Sequence, residues 1–140
     1  MKRLFLSALM LPLAGMIYSW TIRSNDSVEV RSGQWPIHLE RTTDRPGVDY
    51  SLIFRDQTVL DGNVLDTLDF ANIGQLRYLD QALTALKKGS NGETARFRDY
   101  SITRADKKFD GTYYILRADF GQTIFRQPEA DIMSKAIKDW

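Results

Sequence analysis

Eighteen carboxylates, one histidine and no cysteine set the chemistry open to this chain. Without a thiol there is no cysteine nucleophile, no thiolate metal site and no disulfide framework. His38 alternates with Ile37 and Leu39, so its side chain belongs on the opposite, solvent-facing side of a strand, where a histidine is ordinarily a surface residue and not a base. Zinc could be held only by carboxylates together with His38, and no His-x-x-x-His pair exists. Asp61, Asp66 and Asp69 invite comparison with a hydrolase pair or a calcium loop. The run Asp-Gly-Asn-Val-Leu-Asp lacks the alternating ligands and distal Glu of the calcium pattern. A hairpin bend accounts for Asp61 and a helix cap for Asp69. Ser134-Lys135 cannot be a dyad, because adjacent helix positions face apart. Phosphate loops, Gly-x-Gly-x-x-Gly and Gly-x-Ser-x-Gly are all missing from the sequence. We therefore predict no catalytic residue, no metal ligand and no cofactor; the inventory points away from an enzyme.

Binding chemistry is better supplied. Trp35, His38, Tyr113, Tyr114 and Arg117 are the candidate binding residues, the aromatic ones because an amphipathic ring can anchor an interface. Tyr113 and Tyr114 are neighbours on one strand and point to opposite faces, so one of them is core. A sheet bearing either with Arg96, Arg98, Arg104, Lys107, Lys108 and Arg117 could stack bases and contact phosphates. Single-stranded nucleic-acid modules of the Whirly and Pur type also repeat strands followed by a helix, a fold-level analogy that no motif here supports. Export disfavours a nucleic-acid partner.

The export signal is the N-terminus. Met1-Lys2-Arg3 precedes an uncharged apolar run that lasts to Ile22, the layout of a signal peptide or a single-span anchor. Pro12 and Gly15 argue for a cleaved signal; the lack of an Ala-x-Ala site and the position of Trp20 argue for an anchor. Either way Lys2 and Arg3 stay cytoplasmic and the rest of the chain faces outward. Beyond those two residues the chain carries 17 basic and 18 acidic side chains, so no net charge steers a polyanion. The distribution is uneven, with 6 basic and 10 acidic residues from Trp20 to Leu83 and 11 and 8 from Thr84 to Trp140, which is a weak dipole.

The elements that must position these residues follow from periodicity. Residues 23–33 read as a tether, in which Val28 and Val30 could begin a strand. Trp35, Ile37 and Leu39, then Val48, Tyr50, Leu52 and Phe54, recur at period two around the turn chemistry of Thr42 to Gly47. Asp61-Gly62 is a hairpin signal leading to a short strand at Val64 and Leu65. Ile73, Leu76, Leu79, Leu83 and Leu86 form a helical stripe, with Asp69 or Asn72 as N-cap and Gly89 as the stop. Strands are expected over Ala95 to Arg104, Thr112 to Asp119 and from Gly121 to Phe125, with Asp110-Gly111 at the bend. A last helix opens on Pro128 and lays Ile132, Met133, Ala136, Ile137 and Trp140 on one face. The fold class is α+β: an antiparallel sheet of five to six strands covered by two helices, in one domain over 34–140. Asp49-Tyr-Ser51 and Asp99-Tyr-Ser101, Asp61-Gly62 and Asp110-Gly111, and Asp69-Phe70 and Asp119-Phe120 recur at near-constant spacing and suggest a duplicated strand-strand-helix unit.

Together these features predict a periplasmic or otherwise extracytoplasmic binding module without enzymatic activity, anchored in the inner membrane through residues 4–22 if the leader is retained. Its partner is another envelope or secreted protein, as for an inhibitor, an immunity factor or an assembly subunit. A small exported hydrolase using the carboxylates is the alternative, and a single-stranded nucleic-acid-binding sheet the next.

Overall fold

Period-two alternation builds the first sheet. In the computed structural model, which describes residues 24–44, 47–59 and 64–140, strands β1 (Ser24–Arg31), β2 (Ile37–Asp44), β3 (Gly47–Arg55) and β4 (Leu65–Phe70) form an antiparallel meander in chain order. Ile37, Leu39, Tyr50, Leu52, Phe54, Leu68 and Phe70 all fall on one face and are buried. The intervening residues fall on the other, where Glu29, His38, Ile53 and Thr67 lie side by side across the four strands. Ser24–Arg31 corrects the tether reading, since all but its bulged residue are in register with β2. A polar sequence sufficed because β1 is an edge strand that buries little beyond Val30. The leader over 1–22 and the Asp61-Gly62 hairpin lie outside the described residues. Among the described residues no helix is long and apolar enough to cross a membrane.

Helix α1 (Ile73–Lys87) starts where Asn72 caps it: the Asn72 side-chain oxygen accepts from the Gln75 amide at 2.9 Å, in preference to the alternative cap at Asp69. Leu76, Leu79, Ala82, Leu83 and Leu86 are its buried stripe. After it, β5 (Thr94–Arg96), β6 (Tyr100–Lys107), β7 (Gly111–Ala118) and β8 (Gly121–Arg126) make a second antiparallel meander, closed by helix α2 (Gln127–Asp139). Ala95 to Arg104, expected as one strand, is two. Phe97-Arg98-Asp99 turns the chain, with the Phe97 amide bonded to the Tyr100 carbonyl at 2.8 Å, and Thr94–Arg96 folds back on Ser101–Thr103. At the β6–β7 bend Gly111 has φ of 85°, a left-handed conformation that favours glycine after Asp110. In α2, Ala130, Met133, Ala136 and Ile137 are buried; Ile132, expected on that face, is exposed.

The architecture is thus α+β with two four-stranded sheets in place of one sheet of five or six strands. Both halves run four strands and then a helix, in the same strand order. The recurring peptides do not mark that repeat. Asp49-Tyr50-Ser51 lies on the third strand of its half and Asp99-Tyr100-Ser101 enters the second strand of its own; Asp69-Phe70 ends β4, whereas Asp119-Phe120 is the β7–β8 turn. The halves share one core to which both sheets and both helices contribute. Each helix reaches across: α1 packs on β5, β6 and α2, and α2 reaches back to β1. Arg31 ties the seam, donating to the Ile124 carbonyl at 2.8 Å and pairing with Glu129 at 3.1 Å. Phe54 stacks on Phe120 of the other half, with centroids 6.1 Å apart.

Candidate functional site

Aspartate followed by an aromatic residue at a strand end has a simple consequence: the ring turns into the core and the carboxylate turns out. Asp49-Tyr50, Asp69-Phe70 and Asp99-Tyr100 each do this, and the topology brings all three to one place. A cleft of about 830 Å³ opens between the end of the first sheet and the turn that leads into β6. Its floor is aromatic. Tyr100 is stacked on Phe97, with centroids 4.5 Å apart, and meets Phe70 edge-on at 5.9 Å; Tyr50 sits on the other side, against Trp140. Among the described residues, its rim carries the exposed carboxylates of Asp49, Asp69 and Asp99 against one guanidinium, Arg98. Ser51 fixes Asp69, donating to Oδ1 at 2.7 Å, and Tyr78 of α1 stands 56% exposed at the edge, a large ring left in water beside the carboxylates. The Tyr100 hydroxyl is buried with no hydrogen-bond partner among the described residues, and burial pushes its pKa far above the usual phenol range, so it keeps its proton. Carboxylates around ring faces are the chemistry that holds a cation, through charge and through the ring quadrupole together.

A second acidic site lies at the seam. Asp56 Oδ1 accepts from the Thr58 hydroxyl at 2.7 Å, the Thr58 amide at 2.9 Å and the Gln122 amide at 3.1 Å, while the Gln57 amide donates to the Gln122 carbonyl at 2.8 Å. Asp66 faces Asp56 over Gly121, where a Cβ would stand only 2.7 Å from Asp66 Oδ2 and 2.9 Å from Asp56 Cγ. The hydroxyl and amide of Thr58 hold the Asp56 carboxyl below the ordinary range; desolvation, then the charge of Asp56, push Asp66 above it. The signs oppose. Asp56 contributes stability above its unfolded pKa that is lost as pH falls, whereas the raised Asp66 costs stability as pH rises through its folded pKa. Asp66→Asn is therefore expected to raise the melting temperature at pH 7 and to leave it unchanged near pH 3, read from thermal melts across that range. A loss of stability at pH 7 would show that the Asp66 carboxylate is held by attraction.

The five candidate binding residues do not converge. Trp35 is half-buried in the β1–β2 connection, its ring under the Arg55 guanidinium at 4.6 Å. His38 is on the outer face of the first sheet, as its alternation required, beside Glu29 and Ile53. Tyr113 and Arg117 share the outer face of the second sheet. Tyr113 lies between Arg126 and Lys107, whose charges are 4.9 and 4.7 Å from its ring, and Arg117 donates to the Gln122 side chain at 3.1 Å. Tyr114 is corrected to a core residue, wholly buried, stacked on Phe125 and bonded to Gln127. None of the five lines the cleft. Of the basic residues grouped above for phosphate contact, Arg104 is spent on the end of α1 and Arg98 stands on the acidic rim. The carboxylates considered for hydrolysis are split between sites, Asp66 at the seam beside Asp56 and Asp69 in the cleft. Asp61 lies outside the described residues. Among the described residues no three acidic or imidazole groups are placed to hold a metal. In sequence the cleft residues resemble repeat markers, and the recurring Asp-aromatic dipeptide is the signal they carry.

Comparison of the chain with protein-family models, curated proteins and solved structures found no match.

Proposed function

We propose that this chain is an exported or membrane-tethered binding module of the cell envelope, non-enzymatic, whose partner is another protein presenting a basic side chain or segment to the cleft. The observation that carries the reading is the cleft itself: among the described residues, three carboxylates rim an aromatic floor with Arg98 as the single guanidinium. A basic side chain entering there gains carboxylate hydrogen bonds and a ring face at once, in partial shelter from water. The leader supports the extracytoplasmic setting, with Lys2 and Arg3 retained inside.

Charge reversal tests it. Asp69→Lys with Asp99→Lys changes exposed side chains and leaves the core untouched. Affinity capture from envelope extract is expected to recover one stoichiometric protein with the wild type and with Arg117→Ala, on the outer sheet face, and to lose it by more than tenfold with the double variant. Equal recovery by all three would place the contact elsewhere. N-terminal sequencing of the expressed protein separates tethered from free.

The Asp56–Asp66 pair favours a second reading, a small exported hydrolase, because two facing carboxyls whose affinities for a proton are driven apart are the arrangement of an acid and a base. Hydrolysis of a glycoside or ester panel that is abolished equally by Asp56→Asn and Asp66→Asn would establish it.

A further inference from the structure

The β6–β7 hairpin presents an aromatic ring that no fold requirement explains. Phe109 is 92% exposed, the highest exposure of any large apolar side chain among the described residues, and it sits at a tip. Lys107 and Lys108 precede it, both exposed, with the Lys108 ammonium 5.7 Å from the Phe109 ring and the Lys107 ammonium 4.7 Å from that of Tyr113. Arg126 extends the same side, donating to the Tyr113 hydroxyl at 2.6 Å. The nearest acids offset this incompletely: Asp106 is already engaged by Arg104 at 3.0 Å and Thr112 at 2.9 Å, which leaves Asp110. The hairpin is also held in shape, by the Asp110 amide on the Lys107 carbonyl at 3.2 Å, the left-handed Gly111 and the Asn91 side chain on the Asp106 amide at 2.9 Å.

A rigid, protruding ring flanked by ammonium groups matches one surface well. In an anionic bilayer the ring enters the acyl boundary, while the lysine stems lie along it and their charges stay at the headgroups. Each basic residue near such a surface strengthens binding by about fivefold. We infer that the β6–β7 hairpin, through Phe109, Lys107 and Lys108, is a contact site for an anionic membrane surface. The contact does not depend on the cleft. Cleft and tip are at opposite ends of β6, roughly 23 Å apart at about 3.3 Å per residue, so a partner can occupy the first while lipid engages the second. If the leader anchors the chain, the hairpin gives the folded body a second attachment.

The absence of cysteine makes the test clean. Phe109→Cys in the full chain carries one environment-sensitive fluorophore, and Tyr78→Cys at the cleft edge carries the same label as control. With vesicles containing phosphatidylglycerol the label at 109 is expected to shift to the blue and to be quenched by brominated lipid, and the label at 78 to stay aqueous. The shift is lost with zwitterionic vesicles, in high salt, and on adding Lys107→Glu with Lys108→Glu. A label at 109 that stays aqueous on anionic vesicles overturns the inference, as does equal immersion in zwitterionic vesicles or immersion indifferent to the lysine reversals.

Discussion

Replacing Phe54 by alanine is expected to lower the unfolding free energy by about 3–5 kcal/mol, the range for deleting a buried aromatic ring that the surroundings cannot refill. Phe54 is fully buried on β3 and its ring stacks on Phe120 across the seam. The cavity would open where the two halves meet, so both sheets lose contacts together. Denaturant melts followed by far-UV dichroism should show a lower midpoint with an unchanged slope for a single transition. Phe120→Ala, which removes the 46%-exposed partner, is expected to cost far less. Comparable losses from the two variants would mean that the stacking contact, and not the cavity, dominates.

Arg104→Ala is expected to cost about 2–3 kcal/mol, because Arg104 lies at the end of the core-facing side of β6, opposite buried Tyr114, and charge-assisted hydrogen bonds are worth about 1.5–3 kcal/mol. The guanidinium donates to the Leu86 carbonyl at 2.9 Å and the Lys87 carbonyl at 2.8 Å, two of the acceptors that a helix end leaves open, and its Nε binds Asp106 at 3.0 Å. Arg104 also helps hold the Asp106 carboxyl below its ordinary range, together with Thr112. Hydrogen exchange should report the loss as faster exchange in the last turn of α1 and at the base of the β6–β7 hairpin. Arg104→Lys should recover only part of it, since an ammonium cannot span two carbonyls and a carboxylate with the geometry of a fork. Wild-type exchange rates in the variant would mean that water replaces the guanidinium at both carbonyls.

What could be read from the sequence were the strongly periodic stretches. Ile37 and Leu39, Tyr50 to Phe54, and the leucine stripe of α1 are buried as their spacing requires, because one face of each element has no alternative to the core. Where burial was weak, the pattern gave less. Ser24–Arg31 hid as a tether because an edge strand with six exposed or half-exposed positions before Val30 shows no alternation. The split of Ala95 to Arg104 hid because apolar residues run through the stretch, although the alternation changes phase between Phe97 and Tyr100, where the polar pair Arg98-Asp99 makes the turn. One sheet became two for the same reason, since each added strand lengthened a meander past the count that the pattern supported. The cleft was least legible. Its carboxylates come from β3, the end of β4 and the turn before β6, and only the antiparallel register and the break at Arg98 bring them together. Arg104 was read as a phosphate ligand because a basic residue on a strand shows its charge in sequence but not the helix end beside it.

Site-directed photocrosslinking in intact cells puts the cleft to the hardest trial. A crosslinking side chain at Tyr78, on the cleft edge, and another at His38, on the outer face of the first sheet, sample two half-exposed or exposed positions of one folded body. If the acidic, aromatic cleft is where a basic partner docks, Tyr78 gives one discrete adduct, His38 gives none, and adding Asp69→Lys with Asp99→Lys erases it. A chain that crosslinks from His38 and not from Tyr78, or whose Tyr78 adduct survives the charge reversal, does not use that cleft.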